Sequence, residues 1–304
     1  DTREYTPEEL AKIEEMRRRS PVKSTVSITR LLWMDDTKVP GATFYMECIW
    51  LWEGETTSGT TEEPHHHDFN EVIGFIGTNP DRPHDLDGRM EIILGDETHY
   101  LTKSCLVHIP PGMKHCPLTF REVRRPTFFF TLAPINRYGR TSEMQKQPAL
   151  ASPKVAPFIP PEPDATGTRY GRYILTEPRP HAPGPRPEKP QARTTQVVSL
   201  DSEASPGAFY VDFVWIWNGH MNMSKTHCHD FDEMIGIVGM PERDNPRKIG
   251  GEVTIALGDE KHTLTQSSLI FVPRGLNHCP IQFNNIEKPV LCFTIGNSPK
   301  WTFR

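Results

Sequence analysis

Two short strings concentrate side chains able to ligate a metal: His65-His66-His67-Asp68-Phe69-Asn70-Glu71 and His227-Cys228-His229-Asp230-Phe231-Asp232-Glu233. Side chains alternate along an extended strand, so residues 65, 67 and 71 share one face, as do 227, 229 and 233. His66, Cys228, Asp68 and Asp230 then point the other way. A fourth candidate follows a Pro-x-Gly turn in each half, as Pro110-Pro111-Gly112-Met113-Lys114-His115 and Pro273-Arg274-Gly275-Leu276-Asn277-His278. Such a turn can aim the histidine of a neighbouring strand inward. Three neutral imidazoles and one carboxylate suit a divalent first-row metal ion. An octahedral shell would keep two positions open for water, substrate or oxygen.

Blander readings exist. His65-His66-His67 alone would pass for a solvated polyhistidine patch, and single histidines are often satisfied core residues. A full four-residue set occurring twice argues against both. A loop-borne zinc site is disfavoured, because Cys116 and Cys279 stand beside the motif histidines and not in a Cys-x-x-Cys pair. Those cysteines read as buried small residues.

The elements that must position these groups also repeat. Leu94-Gly95-Asp96-Glu97 matches Leu257-Gly258-Asp259-Glu260, and Phe44-Tyr45 through Trp50-Leu51-Trp52 matches Phe209-Tyr210 through Trp215-Ile216-Trp217. The chain is therefore a duplicated domain. Runs such as Phe44–Trp52, Val72–Ile76, Met90–Leu94 and Phe128–Leu132 are strand-length, apolar and separated by turn signals, which predicts short β-strands in a sandwich or barrel. Of 30 prolines, 12 fall between Pro148 and Pro190, so that stretch reads as an extended connector. Inside it, Arg169–Leu175 is apolar enough to dock as a short strand at a sheet edge. Thr6, Pro7 and Glu9 open a short N-terminal helix with a capping box. The expected organisation is an arm over 1–21, a first barrel over 22–147, a connector over 148–190 and a second barrel over 191–304.

A net charge of −5 over 304 residues gives no basic surface for nucleic acid. No apolar run is long enough to span a membrane. Six cysteines in a chain of this size do not form a disulfide scaffold, which predicts a cytoplasmic protein with reduced thiols. The chain starts at Asp1, which leaves room for a removed leader. The expected partner is a small-molecule substrate, with a homo-oligomer allowed.

His65-x-His67-x-x-x-Glu71 with Pro110-x-Gly112-x-x-His115, and His227-x-His229-x-x-x-Glu233 with Pro273-x-Gly275-x-x-His278, resemble the two motifs of the cupin superfamily. The resemblance covers roughly 25–132 and 195–295. It implies an all-β bicupin: two tandem jelly-roll barrels, each with a metal held by three histidines and one glutamate. There are departures. The glycine after the first motif comes one residue early, at Gly77 and Gly239. Ser104 and Ser267 replace the glycine that opens the second motif. Insertions Thr78–Gly88 and Met240–Gly251 lie between the motifs and are candidate lids. These changes concern turns and spare the ligands.

The resemblance implies a metal-dependent enzyme, first a dioxygenase-type oxidoreductase acting on a small phenolic or carboxylate chelator. Fe(II) is the favoured ion, with Mn(II), Ni(II) or Zn(II) as alternatives. A redox-neutral decarboxylase, lyase or isomerase is the alternative reaction, and a non-catalytic binding cupin a further one. Phe69, Trp50, Phe120 and Phe130 would suit an aromatic substrate or simply a barrel core. Glu47 and Asp212 are read as rim residues, His99 and His262 as strand-end surface residues, and His108 as a core or rim residue.

Overall fold

The computed structural model describes residues 22–138, 158–179 and 191–302, together with Pro7, Ala11 and Glu15. Those three isolated residues are helical, while Thr6, Glu9 and both ends of the Pro-rich connector, 148–157 and 180–190, lie outside the described residues. Elsewhere the described residues are β-strands, turns and loops, with one 3-10 turn. It divides into two compact units: 22–33, 45–138 and 158–174 form one, and 34–44, 175–179 and 191–302 the other. Segment 34–44 therefore groups with the second repeat, where Thr43 Oγ1 donates to Asp232 at 2.9 Å and Phe44 packs edge-on to Phe271.

The first barrel is built from β1 (Lys23–Ser24), β2 (Ile28–Met34), β3 (Tyr45–Leu51), β4 (Gly54–Ser58), β5 (Glu71–Ile76), β6 (Asp85–Leu94), β7 (Glu97–Lys103), β8 (Cys105–Ile109), β9 (His115–Val123), β10 (Thr127–Ala133) and β11 (Ile174–Leu175), the last residues of β2 and β11 falling at the unit boundary. They build two sheets, ordered β1-β4-β9-β6-β7 and β11-β8-β5-β10-β3-β2. Ile49, Leu51, Ile73, Phe75 and Phe129 of the second sheet meet Met90, Ile92, Leu118 and Phe120 of the first in one buried cluster. That is a barrel interior in jelly-roll fashion.

The second unit contains β12 (Gln191–Leu200), β13 (Tyr210–Met223), β14 (Glu233–Gly239), β15 (Lys248–Leu257), β16 (Glu260–Gln266), β17 (Ser268–Val272), β18 (His278–Ile286) and β19 (Val290–Gly296). Here β13 runs through the point where β3 and β4 are separate. Its first half pairs β19 and its second half β18, with an irregularity between Gly219 and Met221. One continuous sheet results, β16-β15-β18-β13-β19-β14-β17, with β12 alongside β13.

Strand β5 explains why alternation alone reads poorly here. Every residue from Glu71 to Ile76 is buried, so both faces are apolar. Glu71, Ile73 and Phe75 face the interior. On the other face a Cβ at Gly74 would lie 2.0 Å from the Phe130 ring, and the repeat places Phe293 over Gly236 in the same way. Trp50 packs on Phe128 on this outer face, at 5.3 Å between centroids. Trp50 and Phe130 are thus core residues that do not line the interior.

The connector island adopts less strand than expected. Gly171–Tyr173 form a 3-10 turn and only Ile174–Leu175 extend the sheet edge beside β8. Tyr170 is buried over Gly95, in the turn between β6 and β7.

Candidate metal centres

In the first barrel, one ligand atom from each of His65, His67, Glu71 and His115 lies within 4.8 Å of all the others. The geometry arises differently from simple strand parity. Only Glu71 and His115 begin strands, β5 and β9, while residues 66–70 form an irregular bend. His65 is positioned by a reciprocal backbone bridge to His115, both bonds being 3.0 Å. The carbonyl of His67 accepts from Gly112 N at 2.7 Å, which locks the bend to the Pro-x-Gly turn. Gly112 has φ +80°, a left-handed conformation that favours glycine.

The second barrel repeats this almost element for element. His227 and His278 form the same bridge, Gly275 N donates to His229 O at 2.8 Å, and Gly275 has φ +81°. The three imidazole centroids lie 4.3–5.2 Å apart in the first cluster and 4.4–5.1 Å apart in the second. Phe69 stacks on His67 and Phe231 on His229, each at 4.6 Å. The tight second group comprises His227, His229 and His278. Glu233 reaches two of them, at 3.0 Å from His278 Nε2 and 3.7 Å from His229 Nε2.

The polar atoms facing inward are buried and lack hydrogen bonds: Glu71 Oε2 and His115 Nε2 in one centre, Glu233 Oε2, His229 Nε2 and His278 Nε2 in the other. Buried polar atoms are ordinarily satisfied, so a set of orphans aimed at one point fits a cation. The tautomers agree. The Nδ1 atoms of His65, His115, His227 and His278 face the carbonyls of Glu63, Met113, Lys225 and Leu276 at 2.6–3.0 Å. Nδ1 of His229 faces the Thr302 carbonyl. Each Nδ1–H donated to a carbonyl leaves Nε2 as the lone-pair donor, the usual support of a metal-bound imidazole. Burial, then His115, lowers the His65 pKa to about 4, so that imidazole is neutral near pH 7. Burial raises the Glu71 pKa, but the His115 and His67 side chains outweigh it and hold the carboxyl well below the usual range. The donor set fits a divalent ion.

Two residues that the motifs did not reveal complete these clusters. Tyr138, just after β10, places its hydroxyl 2.9 Å from His67 Nε2 and donates to Glu71 Oε1 at 3.0 Å. Burial, then Glu71, pushes its phenol pKa well above the usual value, which keeps it a neutral donor when no cation is near. Trp301 follows β19 and lies edge-on to His227 and His229, at 5.9 and 5.7 Å. In the register that pairs His115 with His278, Tyr138 matches Trp301. Carrying the repeat past the last strand would have found both.

The insertions are not lids. Thr78–Gly88 leaves β5 at the end opposite Glu71 and enters β6, whose far residue Leu94 pairs with His115 while Gly88 pairs with Val123. Six residues of strand separate those two pairs by about 20 Å. Met240–Gly251 is placed likewise, since Leu257 at the far end of β15 pairs with His278.

Other candidates settle into structural roles. Glu47 is held by Arg30 at 3.0 Å, and Asp212 accepts from Gln196 at 2.9 Å. His262 is exposed, whereas His99 is mostly covered and lies 3.4 Å from Glu97. Ser104 and Ser267 accept from Gly77 N and Gly239 N, so the hydroxyls brace the turns where glycine was expected. Burial pushes the Cys116 and Cys279 thiols up, which makes them inert.

His108 is fully buried against Asn70, and burial lowers its pKa to about 4. The unfolded chain takes up that proton below about pH 6.5, whereas the folded chain resists until about pH 4. Stability therefore falls across that window as pH drops, by on the order of 3 kcal/mol. Replacing His108 by Phe, the residue at the matching position Phe271, should flatten that stretch of a urea-stability profile. An unchanged acid limb would contradict this.

The Thr302 carbonyl suggests another test. Cutting the chain after Pro299 frees His229 Nδ1 and should weaken metal binding at the second centre by about 10–100-fold. The first centre should be unaffected. Isothermal titration would show the two sites separating in affinity, and two equal sites after the cut would refute the orienting role.

No protein-family model matches the chain, and no curated protein matches it in sequence. Solved structures do match. Two point mutants of Bacillus subtilis oxalate decarboxylase align at 13% identity over 95% of this chain and 84% of theirs, with TM-scores of 0.52 and 0.51. A structure concerned with substrate binding and a reaction-specificity switch in oxalate decarboxylase aligns at 12% identity over 92% of this chain and 78% of that chain, with a TM-score of 0.51. A further Bacillus subtilis oxalate decarboxylase structure is described by its Mn(II) centres. At this identity the likeness shows the fold. The chain has the all-β bicupin fold.

Proposed function

We propose that the chain is a metal-dependent bicupin enzyme that removes a carboxylate from a small chelating acid without net oxidation, with Mn(II) as the first ion to test. The observation that carries this is the pair of clusters, each of three histidines and a glutamate, in which Glu71 Oε2, His115 Nε2, Glu233 Oε2, His229 Nε2 and His278 Nε2 are buried without a hydrogen-bond partner. The oxalate decarboxylase neighbours favour a lyase over an oxygenase. His65, His67, Glu71 and His115 would hold one ion, and His227, His229, Glu233 and His278 the other. Imidazole and carboxylate donors without thiolate suit Mn(II) or Fe(II). A bound divalent ion supplies Lewis-acid polarisation of a substrate carboxylate. The chain supplies the rest: backbone carbonyls lock five of the six imidazoles, all but His67, with Nε2 directed inward, and Phe69 and Phe231 stack against His67 and His229 to shield the clusters. The oxygenase reading on Fe(II) has the same donor set behind it but gains nothing from the neighbours.

Loss of a carboxylate as CO2 consumes one proton, R–COO⁻ + H⁺ → R–H + CO2, and no oxygen. The Mn(II)-loaded protein should therefore release CO2 from oxalate or a related small acid with no net oxygen uptake, while a weakly buffered acidic solution turns alkaline. Oxygen consumed in proportion to substrate, followed with an oxygen electrode, would overturn this reading in favour of the oxygenase.

A further inference from the structure

The two centres match closely in their imidazoles and carboxylates but differ in what closes them. Tyr138 is clamped on several sides. Its ring stacks on Tyr45 at 4.6 Å and lies edge-on to His67 at 5.0 Å and Phe69 at 5.8 Å. Tyr45 donates in turn to Glu47 at 3.3 Å, and Glu47 is held by Arg30. The phenol oxygen is thereby fixed beside the metal-facing nitrogen of His67. Trp301, at the matching place in the second barrel, brings no oxygen, and it is 36% exposed.

The distances fit a ligand as well as a hydrogen-bonded bystander. Two donor atoms about 2.1 Å from one ion and at right angles lie roughly 3.0 Å apart. His115 Nε2 and Glu71 Oε2 are 3.1 Å apart, and Tyr138 Oη is 2.9 Å from His67 Nε2. If Nε2 gives its lone pair to a cation, it can no longer accept from the phenol. The 2.9 Å contact then has the length of an edge between neighbouring ligands. A nearby cation also makes the phenol easier to ionise, as it does any coordinating acid.

We propose that Tyr138 is a fifth protein ligand of the first centre, filling one of the two positions that the three imidazoles and Glu71 leave open. The O–H proton passes to buffer as the metal–phenolate bond forms. The second centre keeps both positions. A substrate that chelates through two oxygens then finds adjacent sites only in the second barrel, and the proposed reaction belongs there. This inference rests on the metal-binding reading above.

The test uses the full chain loaded with Fe(II) without oxygen, assayed for iron, then oxidised by ferricyanide. Phenolate bound to Fe(III) gives a visible charge-transfer band and enhanced phenolate modes in resonance Raman. The wild type and Trp301→Phe should show both features with two irons per chain. Tyr138→Phe and Tyr138→Leu should lose them while keeping two irons. Two irons without a band in the wild type would overturn the ligand assignment and leave the metal-binding reading standing. That measurement needs no variant to fold. A band surviving in both Tyr138 variants would overturn it in favour of another tyrosine, such as Tyr45 or Tyr210. A wild type that loads no iron at either centre, and no Mn(II) in a parallel assay, would overturn both readings.

Discussion

The Glu71→Gln and Glu233→Gln variants are each expected to bind one divalent ion per chain where the wild type binds two, and the double variant none. The substitution keeps shape and volume and removes only charge. At the second centre three neutral imidazoles would leave a buried dication uncompensated, and at the first only the Tyr138 phenolate would remain, whereas a carboxylate cancels half the charge where water cannot. Glu71 is 1% exposed and Glu233 2%, so solvent offers little substitute. Outer-shell changes already cost about 10–100-fold in metal affinity, and loss of the carboxylate ligand should cost at least about 100-fold. His66→Ala is the control, since His66 is exposed and makes no part of the cluster. Metal analysis after gel filtration decides the matter. Two ions retained in Glu71→Gln would remove that residue from the ligand set.

Much of this site was legible in the sequence because duplication checks each assignment against a second copy. The eight His and Glu side chains were found that way, and the structure brings them into two clusters. The local reasoning behind them was incomplete. Parity treated residues 65–71 as a strand, but the bend at 66–70 is held by the His65–His115 bridge and by Gly112, long-range bonds that no local pattern contains. Strands such as Tyr45–Leu51 and Thr127–Ala133 were readable from their length and aromatic content. Which face of each met the interior was not, because β5 is buried on both sides. Trp50 and Phe130 therefore passed for possible substrate walls. The insertions passed for lids because sequence distance does not say at which end of a strand a loop emerges. Tyr138 was hidden by the opposite problem. It lies beyond the last strand, in a segment with no motif of its own, and only its match to Trp301 marks it.

Stripping the metal should abolish turnover while leaving the barrels folded. Polarisation by a bound dication is worth several kcal/mol in the barrier, so loss of the ions should slow the reaction by at least about 10³-fold. Folding is another matter. The first core joins Ile49, Leu51, Ile73, Phe75, Met90 and Phe129 among others, and none of the metal-facing side chains belongs to it. The second core, with Ile235, Val253, Phe283 and Cys292, is likewise independent. Small zinc domains unfold without their ion because they lack such a core, and these barrels have one. The metal should instead stabilise by mass action, by about 4 kcal/mol at a thousandfold excess over Kd, or a rise of roughly 10–20 °C in melting temperature. Chelator treatment should thus leave the far-ultraviolet β signal unchanged at 25 °C and lower Tm by that amount. Returning Mn(II) should restore both Tm and activity. A stripped chain that is unfolded at 25 °C would mean that the ions hold the barrels together, and loss of activity could then no longer be assigned to chemistry at the centres.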